Sequence, residues 1–242
     1  MTKYKYLLSL CFVFFLGTLP IQAAKYKALK KVKNGVQLTG QIVYDGTAPT
    51  PRMLKVDEDT GTCGSNRPSE ELIVSSSGGI KNAVVSIVGI KKGKKWGIPK
   101  KFSYDQNRCR FIPHVLLVRP KSKGVVLNSD NVGHNFHTVS KGIYNINKKI
   151  KPNAKMKVKK KKIKKPGIIR VKCDLHSWMG GWWIAAETPY IELSDESGKF
   201  SISDIPPGKY KLRIWQEKLG EIVQDLVIKA GESQNLIIKM KE

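Results

Sequence analysis

The 242-residue chain is 40% hydrophobic and 8% aromatic, and its 44 Lys and Arg against 19 Asp and Glu give a formal charge of +25. This composition supports a packed core and excludes wholesale disorder, and the length allows one large β-domain or two small ones. The charge points to anionic partners, but no aromatic-basic motif for nucleic acid accompanies it.

Lys3 and Lys5 precede an apolar run from Tyr6 to Leu19, followed by Pro20, Ala23 and Ala24. A basic start, a short apolar stretch and small residues at its end predict a secretory signal peptide over residues 1–23. The run is shorter than the roughly 20 residues a bilayer span needs, and no other stretch is long and apolar enough. The mature chain is therefore expected to lack a transmembrane segment and to work in the periplasm or outside the cell. Residues 24–35 read as a basic, poorly ordered lead-in.

From Val36 onward the pattern becomes short alternating runs separated by Gly, Pro and Ser: VQLTGQIVYDG, ELIVSSSGG and NAVVSIVGI, then a polar loop over residues 91–101. FIPHVLLV, KGVVLNSD, GIIRVKC and WWIAAE extend the series. These are strand and turn signatures. Near the C-terminus, Tyr210, Leu212 and Ile214 alternate with Lys209, Lys211 and Arg213, after a turn at Asp204–Gly208. That alternation predicts a strand with one apolar face. No amphipathic helix pattern stands out, so the fold class is all-β.

The chemistry concentrates in GIIRVKCDLHSWMGGWW. Cys173, His176 and Met179 lie within seven residues, at the end of a strand whose inward side would carry Ile169, Val171 and Cys173. A thiolate, an imidazole and a thioether form a soft donor set suited to copper. Such a site needs a second imidazole from another strand, and the only His residues upstream are His114, His134 and His137. A zinc site would use Cys and His but not Met.

The order Asn128-Ser129-Asp130, His134-Asn135, Cys173-x2-His176-x2-Met179 resembles the cupredoxins, small blue-copper proteins such as plastocyanin and amicyanin, over about residues 102–187. The resemblance implies a Greek-key β-sandwich binding one type-1 copper through His134, Cys173, His176 and Met179. It also implies that Asn135 braces the cysteine loop, with Asn128 nearby. His137 is an alternative or extra ligand, and His114 reads better as a core or rim histidine. With Cys173 assigned to the metal, Cys63 and Cys109 are expected to form a structural disulfide, which suits an oxidising compartment.

The C-terminal section SDESGKFSISDIPPGKYKLRIW resembles carboxypeptidase regulatory-like domains, small sandwiches grouped with carbohydrate-binding-like folds. In that family the strand pair like residues 36–46 and the strand like 82–89 run on directly into such a section, whereas here about 100 residues intervene. The expected organisation is a discontinuous regulatory-like sandwich, 36–100 with 188–242, into which a cupredoxin-like domain, 101–187, is inserted.

The functional expectation is an exported one-electron carrier without catalytic turnover, since nucleophile motifs, phosphate-binding Gly loops and paired carboxylates are absent. Its partner would be an acidic redox protein such as a cytochrome. The rivals are a copper carrier or storage protein, and a carbohydrate- or envelope-binding sandwich without metal. Residues 148–165 contain eleven Lys, which either attract such a partner or an anionic envelope surface, or form a solvated, aggregation-resistant edge.

Overall fold

The computed structural model describes residues 26–160 and 162–242, so the expected signal peptide lies outside the described residues. The N-terminal third holds β1 (Lys27–Ala28), β2 (Val36–Tyr44), β3 (Met53–Leu54), a helical turn α1 (Thr60–Cys63), β4 (Arg67–Pro68), β5 (Val84–Val88) and β6 (Lys92–Gly93). The middle holds β7 (Lys101–Gln106), β8 (Phe111–Ile112), β9 (Val115–Val118), β10 (Lys123–Asn128), β11 (His134–Val139), β12 (Ile146–Ile150), β13 (Lys155–Val158), β14 (Gly167–Lys172) and β15 (Gly180–Ala185). The C-terminal strands are β16 (Ile191–Leu193), β17 (Lys199–Ile205), β18 (Gly208–Gln216), β19 (Gly220–Ile228) and β20 (Gln234–Met240). The all-β expectation holds.

Two sheets, ordered β13-β10-β7-β8 and β12-β11-β14-β15-β9, enclose one core. Alternation on each strand supplies it: Tyr104 and Val126 from the first sheet meet Phe136, Val171 and Trp183 from the second. Trp183 is fully buried, with Phe102, Tyr104 and Phe136 packed around it at centroid distances of 5.0–5.2 Å.

A second core lies between sheets β16-β5-β18-β19 and β17-β2-β20. Leu38, Ile42, Ile202 and Ile214 are among its fully buried members. β2 sits between β17, antiparallel, and β20, parallel, so residues 36–44 lie beside residues 199–205 and 234–240. Its centre is Gly40, where a Cβ would stand 2.5 Å from the Leu236 carbonyl oxygen and 2.7 Å from the Phe200 ring. A smaller cluster joins the two cores: Val115 and Ile184, on the outer side of the five-stranded sheet, pack with Val84 and Ile191.

Some local expectations change. The run 71–79 is not a strand; Val74 makes one bridge to Ile80, and Ser75 closes a turn by accepting the Gly79 N–H on its hydroxyl at 2.9 Å. The lead-in is ordered from Tyr26 onward: β1 pairs with β6, and the Tyr26 ring packs edge-on against Trp96 and Tyr190. Lysine-rich segments conceal β12 and β13. In β13, Met156 and Val158 point inward while Lys155 and Lys157 point to water.

Candidate metal centre

β11 and β14 pair antiparallel and deliver the upstream histidine and the cysteine to one end of the first sandwich. On β11, His134, Phe136 and Thr138 are buried, whereas Asn135 and His137 face the other side. The two-residue period therefore takes His137 away from the site. Its Nδ1 is 2.9 Å from Asp174, and Asn147 joins the pair. Lys172 and then His137 lower the Asp174 carboxyl to a pKa of about 2.

Cys173 follows the last residue of β14. The loop after it folds back through Met179 N–H donating to the His176 carbonyl at 3.0 Å, and Cys173 N–H to the Met179 carbonyl at 3.3 Å. This turn puts His176 Nδ1 3.8 Å from Cys173 Sγ and 3.0 Å from His134 Nδ1. His134, Cys173 and His176 are all buried, with one potential ligand atom from each lying within 4.8 Å of the others. Met179 is buried in the same core cluster. Cys63 and Cys109 are joined as a disulfide, leaving Cys173 as the free thiol among the described residues.

Asn135 meets the cysteine through its main chain: its N–H donates to Cys173 Sγ at 3.2 Å. Its side-chain amide turns outward and donates to Asn147 Oδ1 at 2.6 Å, so the expected brace is made by backbone rather than side chain. Asn128 shapes the loop leading to His134. Its Nδ2 donates to the carbonyls of Val132, Ile150 and Lys151, and its Oδ1 accepts from the Asp130 N–H.

Two carboxylates that motif reasoning did not assign hold the outer edges of the imidazoles. His134 Nε2 lies 2.7 Å from Asp130 Oδ2, and His176 Nε2 lies 2.9 Å from Asp59 Oδ2. An ionised carboxylate only accepts, so each Nε2 carries its hydrogen and each Nδ1 presents a lone pair in the neutral ring. Burial pushes the His134 pKa down, more strongly than Asp130 pulls it up, which favours that neutral form. Two lone pairs facing across 3.0 Å in a buried place repel unless a cation lies between them. The thiol beside them completes a donor set of two nitrogens and one sulfur, which fits a soft metal ion.

His114 lies outside this group, in contact with Glu217, which also accepts from Trp182 Nε1. Of the tryptophans beside the loop, Trp183 is core, Trp178 lies 5.1 Å from the His176 ring, and Trp182 packs edge-on against Trp215. A cleft of about 950 Å³ runs along this flank, with Cys173, Met179, Trp178 and Trp182 in its wall.

The family description matching the chain is domain II of polysaccharide lyase family 4, over residues 174–236. No curated protein matches. Solved structures with similarity include a copper-containing nitrite reductase (NirK) from Thermus scotoductus SA-01, at 17% identity and TM-score 0.33, covering 36% of this chain and 23% of that one. A purple cupredoxin from Nitrosopumilus maritimus gives 14% and 0.29, covering 35% of this chain and 98% of that one. Amicyanin from Paracoccus versutus gives 13% and 0.31, covering 42% and 97%. The chain thus spans less than a quarter of the length of the nitrite reductase, and its all-β class rests on its own strands and sheets.

Proposed function

We propose that this protein carries single electrons on one copper ion held by His134, Cys173 and His176, with Met179 as a weak fourth ligand. The observation that supports this reading most strongly is the pair of inward Nδ1 atoms 3.0 Å apart, each imidazole being backed by a carboxylate, beside a buried free thiol. Copper between two imidazoles, a thiolate and a thioether changes charge by one with little rearrangement. The chain's own part is to hold the donors at the end of a stiff sandwich, exclude water from them, and lower the charge on Cys173 Sγ through the Asn135 N–H.

The thioether distinguishes copper from zinc in this reading, because Met is a poor zinc ligand. The organisation proposed is a sandwich of residues 36–100 and 188–242, regulatory-like in its C-terminal pattern, hosting a cupredoxin-like unit over 101–187. A buried disulfide suits an exported protein, and no helix among the described residues is long and apolar enough to cross a membrane. The partner proposed is an acidic redox protein, with an anionic envelope surface as the other candidate for the lysine-rich face.

Cu(II) added to the purified protein is expected to give an intense thiolate-to-copper visible band and a matching EPR signal, both lost in Cys173→Ser. A wild-type protein that stays colourless and binds no copper refutes the reading. Rapid electron exchange with a cytochrome separates an electron carrier from a copper carrier, which would bind the ion with the same donors but exchange electrons slowly.

A further inference from the structure

We propose that Asp59 is a positioning residue for His176, clamped over the imidazole by the Cys63–Cys109 disulfide, and that this strap sets how firmly the site keeps its metal. The inference rests on the reading that His134, Cys173 and His176 are metal ligands. It goes beyond that reading by assigning a role to a segment more than 100 positions upstream of the cysteine loop.

Asp59 opens the turn α1 from the left-handed region, with φ 47°, and its carbonyl accepts from the Thr62 and Cys63 N–H groups at 2.9 and 2.8 Å. The turn therefore fixes Asp59 relative to Cys63. Across the disulfide, the Cys109 and Arg108 N–H groups donate to the two oxygens of Asp130 at 2.8 and 2.6 Å. Asp130 in turn holds His134. A closed ring results: His176, Asp59, α1, the disulfide, Asp130, His134 and back across 3.0 Å to His176. One covalent bond thus ties together the carboxylates behind both imidazoles.

Arg67 reinforces the clamp by donating to the carbonyls of Cys63 and Arg108, one on each side of the disulfide. The strap also stands between the His176 ring and water. His176 is 1% exposed whereas the Asp59 side chain is 46% exposed. A carboxylate behind a ligating imidazole fixes the ring's tautomer and orientation, and losing such a partner typically weakens metal affinity by about 10–100-fold. At His134 that partner is local, four residues away; at His176 only the strap supplies it.

The test uses the full chain loaded with Cu(I), which is diamagnetic. In the wild type, the Nε2–H protons of both histidines are expected to be visible by NMR and protected from exchange. In Asp59→Ala, the His176 proton should be lost to exchange while that of His134 persists, and copper should pass to a Cu(I) chelator about tenfold faster or more. Asp59→Asn should recover most of the protection, because the amide oxygen still accepts from Nε2–H. Cys63→Ala/Cys109→Ala should move in the same direction as Asp59→Ala; if that variant does not fold, Asp59→Ala and its Asn counterpart decide alone. Unchanged His176 protection and copper release in Asp59→Ala, with the thiolate band intact, overturn the strap and leave the copper reading standing. A wild-type chain that takes no copper overturns both.

Discussion

His114 and Glu217 meet with side chains only 7% and 10% exposed, so neither charge is well solvated. Burial alone would push the His114 pKa down; the hydrogen bond and charge of Glu217 outweigh it, and the pKa is raised from 6.5. A group whose pKa rises on folding stabilises the native state below its unfolded value and loses that contribution as pH climbs through the folded value. Stability is therefore expected to fall as pH rises above about 6.5, by up to about 1.4 kcal/mol for each unit by which the pKa is raised. His114→Gln should flatten this slope in thermal melts across pH 5.5–9; a variant with the full wild-type slope shows that another group is responsible. Single residues also mark what sequence could reveal. Cys173, His176 and Met179 stood out by donor type and spacing, and His134 through the resemblance to cupredoxins; the structure gathers His134, Cys173 and His176 while keeping Met179 in the same core. His137 was expected as an alternative or extra ligand, but residues three apart on a strand face opposite ways, and β11 turns it from the site. Asp59 carried no signal: its partner lies 117 positions away, and a lone aspartate in a loop makes no pattern.

At the scale of the strand, Gly40 shows why β2 tolerates only hydrogen at its middle. With β17 on one side and β20 on the other, an added methyl meets a backbone carbonyl that cannot rotate away and the Phe200 ring. Gly40→Ala is expected to destabilise the protein by about 1–3 kcal/mol, the usual cost of overpacking, as a lower denaturant midpoint with the copper spectrum unchanged. A midpoint equal to wild type would mean that the three strands separate at no cost. Strands with clean alternation, such as β2, β14 and β18, were readable because one face is apolar and the other is not. β12 and β13 were hidden because their outward positions are lysines and their inward ones are few. The run 71–79 misled in the opposite sense: β-branched residues suggested a strand, but Ser75 and the glycines after it supply a local turn that captures the backbone first.

For the whole molecule, the charge of +25 is spread unevenly. On the β13-β10-β7-β8 sheet, the register aligns Lys101 with Lys123, Val125 with Lys157 and Leu127 with Lys155, so an aliphatic strip runs between lysines. If the partner is the acidic redox protein proposed above, this face should bring it in fast at low salt. The association rate is expected to fall at least tenfold between about 20 and 200 mM salt, as long-range attraction is screened. Lys155→Glu/Lys157→Glu should lower the low-salt rate while leaving metal binding intact. A rate indifferent to both salt and these substitutions assigns the lysines to solubility alone.

The arrangement of β17-β2-β20 bears on the order in which the chain can fold. Every strand of the two sheets around Trp183 lies between Lys101 and Ala185, so that part can condense while β16 to β20 are still being synthesised. β2, among the first strands made, has to wait for Gln234–Met240, among the last, before its parallel partner exists. Contacts that distant in sequence close slowly. The first sandwich can thus fold beside an open edge of the second, and a chain stopped before residue 234 keeps a finished donor pocket next to β2 paired with β17 on one side and open, hence aggregation-prone, on the other.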